Sequence, residues 1–127
     1  MADNPLTDSG LTDGELAHLR SRLDDDLAEA RNLLSRLNVA LDGIRTSRED
    51  AAADDEHDPE GPTMSAEWSH TVGVRADALR RVDAVEAALA RFDAGRYGLC
   101  LRCGRPIGAG RLDARPEAEL CIECAGR

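Results

Sequence analysis

Two stretches of the chain repeat apolar residues at spacings of three and four, and this limits the fold more than any other feature. In the first, Leu16, Leu19, Leu23, Leu27, Ala30, Leu34, Leu37, Leu41 and Ile44 form one continuous stripe. In the second, Val72, Arg75 (through its aliphatic stem), Leu79, Val82, Val85 or Glu86, Leu89 and Phe92 form another. Ala76, Ala78, Ala84, Ala87, Ala88 and Ala90 keep this second segment slim, so a partner backbone can approach closely. Trp68, Phe92 and Tyr97 are the only aromatic residues, too few for a thick globular core. A narrow Leu/Ala seam between two helices suits this composition. The spacing predicts two helices of about 30 residues, each about 45 Å long. Joined by one turn region, they make a long antiparallel coiled-coil hairpin, and the fold is mainly α.

The boundaries are marked by local chemistry. Thr12 with Glu15 is a capping box, in which each side chain satisfies a backbone N–H left over by the first turn. Residues 1–11 show no periodicity and are expected to be a flexible tail. The first apolar pattern dissolves near Ser47, although residues 51–53 can extend the helix by a turn. Asp58-Pro59 and Gly61-Pro62 turn the chain, and Thr63 or Ser65 then caps the second helix. Gly95 suits the left-handed position just past its end. The hairpin thus covers 12–94, with an acidic tip at about 49–63, and a separate module covers 95–127.

Residues 49–60 hold seven carboxylates and no Arg. Glu49, Asp50, Asp54 and Asp55 lie near the negative end of the first helix, where an acid is disfavoured by about 0.3–1 kcal/mol. Only Arg45 and Arg48 oppose them. Asp58 and Glu60 precede the second helix, where acids sit well. Capping therefore explains half the cluster. The other half implies a working role, with Asp54, Asp55 and Asp58 as candidate contacts to basic side chains or to a catalytic Mg2+ neighbourhood in a partner. The run lacks the alternation and the glycine of a calcium loop.

The formal net charge is −9 and is unevenly spread. Residues 1–62 carry sixteen acids against six Arg, residues 63–127 nine acids against ten Arg, and there is no Lys. An acidic first half is repelled by phosphates, so direct sequence-specific DNA binding and attachment to anionic membranes are not expected. The N-terminus lacks a basic start and an apolar stretch. No apolar run approaches the roughly 20 residues that span a bilayer. A soluble, cytoplasmic monomer is expected.

In that compartment thiols stay reduced, and paired cysteines point to metal rather than disulfides. Cys100-x2-Cys103 is followed 17 residues later by Cys121-x2-Cys124. Four thiolates around one ion make a closed, structural Zn2+ site. Rubredoxin-like iron and a redox dithiol pair stay open as alternatives. Arg102, Arg105, Arg111 and Arg115 can offset the negative metal–thiolate cluster or, in a nucleic-acid zinc finger, read phosphate. A short helix is expected around 116–124. None of His18, His57 and His70 has ligand spacing to the cysteines. No nucleophile–base pair is evident and the metal site is closed, so the chain is not expected to be an enzyme.

The stretch Tyr97-Gly98-x-Cys100-x-x-Cys103-Gly104-x-x-Ile107, then Arg111-Leu112-x-Ala114-Arg115-Pro116-x-Ala118, then Cys121-x-x-Cys124, resembles the DksA/TraR family of bacterial transcription regulators. The resemblance covers about residues 12–124 and is densest from 95 onward. It implies binding to RNA polymerase without promoter recognition. It places the zinc globule near the rim of the secondary channel and the acidic coiled-coil tip near the catalytic centre. It also admits the alarmone ppGpp at the protein–polymerase interface. At the tip, Asp55-x-x-Asp58 matches the two acids of the family's Asp-x-x-Asp-x-Ala, with Glu60 in place of Ala. Two other classes fit the residues: a zinc-stabilised coiled-coil adaptor for another protein, and a DNA-binding zinc finger.

Overall fold

The computed structural model describes residues 9–54 and 61–126, with side chains for 9–50 and 64–126. Among the described residues four helices occur in order: α1 (Asp13–Asp54), α2 (Gly61–Asp93), α3 (Ala109–Ala114) and α4 (Ile122–Ala125). Among the described residues no strand forms, and Leu99 and Pro106 make an isolated antiparallel bridge. The chain divides into two compact units, one of Met1–Ala28 with Val82–Arg127, the other of Glu29–Arg81.

α1 opens on the expected capping box. The Thr12 N–H donates to Glu15 Oε1 at 3.0 Å, and the Glu15 N–H donates to Thr12 Oγ1 at 3.0 Å. The helix is 42 residues long, well beyond the end of its apolar stripe. Arg48, Glu49 and the alanines at 51–53 are good helix formers, and the chain meets no proline before Pro59, so propensity carries the helix where burial no longer does. α2 begins at Gly61, ahead of Thr63 and Ser65. Pro62 sits in its first turn, where a missing N–H costs nothing. At the other end, Gly95 takes φ 73°. Its N–H reaches Phe92 O at 3.1 Å, while the Arg96 N–H reaches Arg91 O at 2.8 Å. This is a complete Schellman end.

In the Glu29–Arg81 unit the two helices are antiparallel, and Arg75 Nε donates to Asn38 Oδ1 at 2.6 Å across them. Ala30 and Ile44 of α1 are buried, with Leu34, Leu37 and Leu41 half-buried between them. The α2 side differs from the sequence reading. Val72 is 41% exposed, while Thr71 is 9% exposed. The seam therefore runs Trp68, Thr71, Arg75, Ala78, a strict alternation of three and four. Thr71 tolerates burial because its Oγ1 donates to Glu67 O at 2.8 Å. Arg75 on the seam is satisfied by Asn38. A polar pair at such a position costs stability and selects one register.

In the other unit, Leu11, Leu16, Leu19, Leu23, Val85 and Ala88 form one core with Tyr97, Cys100, Ile107, Leu112 and Cys124. Val85, not Glu86, faces inward and is fully buried. Leu27, Leu89 and Phe92 pack at the margin. Residues 9 and 11 depart from the expectation of a flexible tail, since Ser9 and Leu11 are buried. Their anchor is Gly98, which has φ +88° and whose missing Cβ would lie 2.9 Å from Ser9 Cβ. Pro116 also displaces the short helix expected around 116–124. A residue before proline avoids the α region, and Arg115 accordingly takes φ −138°, ψ 84°. The helical turns fall instead on either side, as α3 and α4.

The seam assignment is testable by truncation. Leu23→Ala should cost about 2–5 kcal/mol, because Leu23 is fully buried. Val72→Ala should change stability by less than about 0.5 kcal/mol. Urea unfolding followed by circular dichroism measures both, and equal losses would refute the phase of the α2 seam.

Candidate metal centre

The four cysteines come from two backbone knuckles of different construction. In the first, the Cys100 N–H donates to Arg105 O at 2.8 Å and the Gly104 N–H returns to Cys100 O at 2.9 Å. Gly104 closes that loop at φ +74°, a conformation that a side chain would strain. In the second, Cys121 immediately precedes α4, and the Ala125 N–H bonds Cys121 O at 2.9 Å. The Leu101 N–H joins Glu119 O at 2.9 Å and ties one knuckle to the approach of the other.

The result is a closed set of sulfurs. The Sγ atoms of Cys100, Cys103, Cys121 and Cys124 all lie within 4.8 Å of one another. Cys103 Sγ and Cys121 Sγ are 3.7 Å apart. Four sulfurs held about 2.3 Å from a central zinc ion stand about 3.8 Å from each other in a tetrahedron. The donor set and its spacing fit Zn2+, and all four cysteines are free of disulfides. Cys100 and Cys124 are buried, Cys121 is half-buried and Cys103 is exposed. Crowding spreads their proton affinities. Burial opposes ionisation of Cys100, but the backbone N–H groups of Cys103, Cys121 and Arg102 outweigh it and draw its pKa down to about 6. Cys124 is pushed up to about 12, first by the hydrogen bond it shares with Cys121 and then by burial. A divalent ion displaces such shared protons, so metal is held more tightly as pH rises.

The segment between the knuckles contains little regular structure, and side chains from elsewhere satisfy its carbonyls. Tyr97 is fully buried, and its hydroxyl donates to Pro116 O at 2.8 Å. Its ring stacks on Phe92 with centroids 4.4 Å apart, and Arg20 lies over the other ring at 5.5 Å. Burial is the main reason that the phenol pKa rises to about 12. Arg91 reaches Glu117 O at 3.3 Å and Ala118 O at 3.5 Å. Desolvation lowers its pKa, opposed by Glu119 and then Tyr97. Arg111 Nε donates to Leu120 O at 2.9 Å, and Arg102 reaches Cys124 O at 3.3 Å. Arg22 of α1 bonds both the backbone and the carboxylate of Asp113. The sequence suggested that Arg102 and Arg111 offset sulfur charge or read phosphate, and it did not reveal this carbonyl-binding role. The available signal was a long proline-containing loop with no predicted ladder to absorb its C=O groups.

Of the other candidate site residues, Asp54 is the last residue of α1, and its side chain lies outside those described. Asp55 and Asp58 lie outside the described residues altogether. No described helix is long and apolar enough to cross a membrane.

Comparison with known proteins agrees with this geometry. Residues 95–127 match the prokaryotic dksA/traR C4-type zinc finger. The RNA polymerase-binding transcription factor DksA of Escherichia coli K12 is 30% identical over 114 residues, covering 90% of this chain and 71% of the relative. Its counterpart in Caulobacter vibrioides is 31% identical over 123 residues, covering 92% of this chain and 78% of the relative. The chain belongs to the DksA/TraR family. A DksA of Haemophilus influenzae is 39% identical over 62 residues, which span 49% of this chain and 43% of that relative. The structure of the transcription factor DksA2 from Pseudomonas aeruginosa superposes with a TM-score of 0.75 at 23% identity, covering 91% of this chain and 83% of that one. It shares the fold of this chain. As a DksA/TraR protein the chain is not an enzyme, and its cysteine cluster is a C4 finger for one structural zinc.

Structural zinc contributes about 10–16 kcal/mol to small modules of this kind. Chelation at neutral pH should therefore release one zinc per chain and open the packing around Tyr97. Tyr97 is the only tyrosine, so tyrosinate absorbance reports it alone. In the zinc-loaded protein it should titrate near 12, and after chelation near its ordinary 10. Because the folded pKa is the higher, stability is full below pH 10 and falls as pH rises toward 12. A titration unchanged by chelation would show that the metal does not hold this core.

Proposed function

We propose that this protein is a regulator of bacterial transcription that binds RNA polymerase through the secondary channel, with the acidic turn of its hairpin approaching the catalytic centre. The observation that carries the reading is similarity at 30–31% identity, over most of both chains, to proteins named as RNA polymerase-binding transcription factors. The charge pattern supports it. The seven carboxylates at 49–60 repel nucleic-acid phosphate and suit a channel lined by basic groups or holding Mg2+. Asp54, Asp55 and Asp58 are the residues proposed to act there. The α1 end adds to the negative potential, since no basic residue lies in its last turn. The site of action is cytoplasmic, the protein acts as a monomer, and ppGpp is a candidate co-ligand at the polymerase interface.

Two observations disfavour a DNA-binding finger. Arg102 and Arg111 are engaged with backbone carbonyls, and Arg105 pairs with Glu123 at 4.0 Å. These are the guanidinium groups that a phosphate-facing patch would need. A zinc-stabilised adaptor for a different protein is separated from the polymerase reading by co-purification.

The test joins binding to activity. Wild type should be retained on immobilised RNA polymerase and should shift initiation in vitro. Asp55→Asn and Asp58→Asn, singly and together, should still bind, with the double variant losing most of the shift. If both variants shift initiation as wild type does, the acidic turn has no regulatory role. If wild type fails to bind polymerase, the adaptor reading takes precedence.

A further inference from the structure

The Glu29–Arg81 unit contains matched irregularities that helix packing does not require. Gly43 and Gly73 lie in the interiors of α1 and α2, and both are exposed. A Cβ added at either would meet nothing within 4 Å. Neither has a positive φ. Close approach and left-handed geometry, the usual structural reasons for glycine, are absent, and what remains is a weaker helix. Each helix also carries a threonine bonded back onto its own preceding turn. Thr46 Oγ1 donates to Asp42 O at 2.9 Å, and Thr71 Oγ1 donates to Glu67 O at 2.8 Å. Such bonds compete with the ladder for the carbonyl and favour bending.

These features share one level. The Asn38–Arg75 hydrogen bond joins the two helices side by side. Counted from it toward the acidic turn, Asp42 and Thr46 lie four and eight residues along α1, and Thr71 and Glu67 four and eight residues along α2. The two back-bonded turns therefore lie on the same side of that pair, at a similar distance from it. Gly43 lies about 7.5 Å and Gly73 about 3 Å beyond the Asn38–Arg75 pair, within one helical turn of each other. Polar side chains also interrupt the seam here: α2 contributes Thr71 and Arg75, with half-buried Trp68 next toward the turn, against Leu37, Leu41 and Ile44 of α1.

We propose that Gly43, Thr46, Thr71 and Gly73 form a flexure joint across the helix pair. The segments nearer the acidic turn bend there as a pair, while Asn38 and Arg75 hold the register. The use of this joint rests on the polymerase reading: it lets the carboxylates at 49–60 change direction within a partner without the hairpin separating.

Hydrogen exchange followed by mass spectrometry on the full-length, zinc-loaded chain tests the joint. Amides at 42–47 and 68–75 should exchange about tenfold faster than those at 30–38 and 76–81. In the variant Gly43→Ala, Thr46→Ala, Thr71→Val, Gly73→Ala, exchange at both segments should slow by about fivefold per glycine replaced. Uniform protection along both helices in wild type overturns the joint. So does fast exchange that the quadruple variant leaves unchanged, which would assign it to fraying from the turn. For the joint's use, the variant should bind polymerase within about twofold of wild type and lose most of its effect on initiation. An unchanged effect overturns the regulatory role. A wild type that does not bind polymerase removes the polymerase reading, and the exchange pattern still decides the joint.

Discussion

Everything from residue 95 onward depends on four sulfur atoms converging on one point. That segment supplies few large buried side chains of its own, chiefly Tyr97, Ile107, Leu112 and Pro116. Its two helices have six and four residues, far too short to be stable alone. With the sulfurs within 4.8 Å of each other, one ion links two knuckles separated by 17 residues and fixes the loop between them. Only a loop fixed in this way can offer Pro116 O to Tyr97 and Leu120 O to Arg111. Those contacts in turn seat the module on Leu19, Leu23, Val85 and Ala88.

Arginine does unusual structural work here. The chain has no lysine, and its guanidinium groups reach backbone carbonyls at four places in this unit: Asp113, Glu117 with Ala118, Leu120 and Cys124. A planar fork with several donors can satisfy a carbonyl while its stem packs on apolar surface. This consumes positive charge that a nucleic-acid binder would hold outward. It leaves the acidic first half of the chain as the dominant electrostatic feature.

Much of this organisation was legible in the residues, for definite reasons. The capping box, the Schellman glycine and each single Cys-x-x-Cys knuckle are local devices whose partners lie within five residues, so sequence suffices. All nine residues of the α1 stripe avoid full exposure, because a leucine-rich repeat has only one face to bury. The α2 stripe was harder. Arg75 sits on its seam as the stripe has it, but Thr71 is buried while Val72 is exposed, and hydropathy alone ranks those two the other way. What reverses the order is a hydrogen bond to Glu67 O; Arg75 is held by another to Asn38, and only the second depends on tertiary pairing. The burial of Leu11 beside Gly98 was unreadable for a similar reason. Nothing near residue 11 in sequence announces a glycine 87 positions later that leaves room for it.

The antiparallel register of the helix pair also restricts how such a chain can change length. Where contacting positions keep a constant sum, adding residues to one arm slides every later seam residue past its neighbour. Compensation requires an equal addition to the other arm. Keeping the same side chains facing inward further requires whole heptads. Hairpins of this kind can therefore grow or shrink only in coupled steps of about 10.5 Å per seven residues. Finer adjustment of how far the acidic turn extends has to come from bending, or from the turn itself.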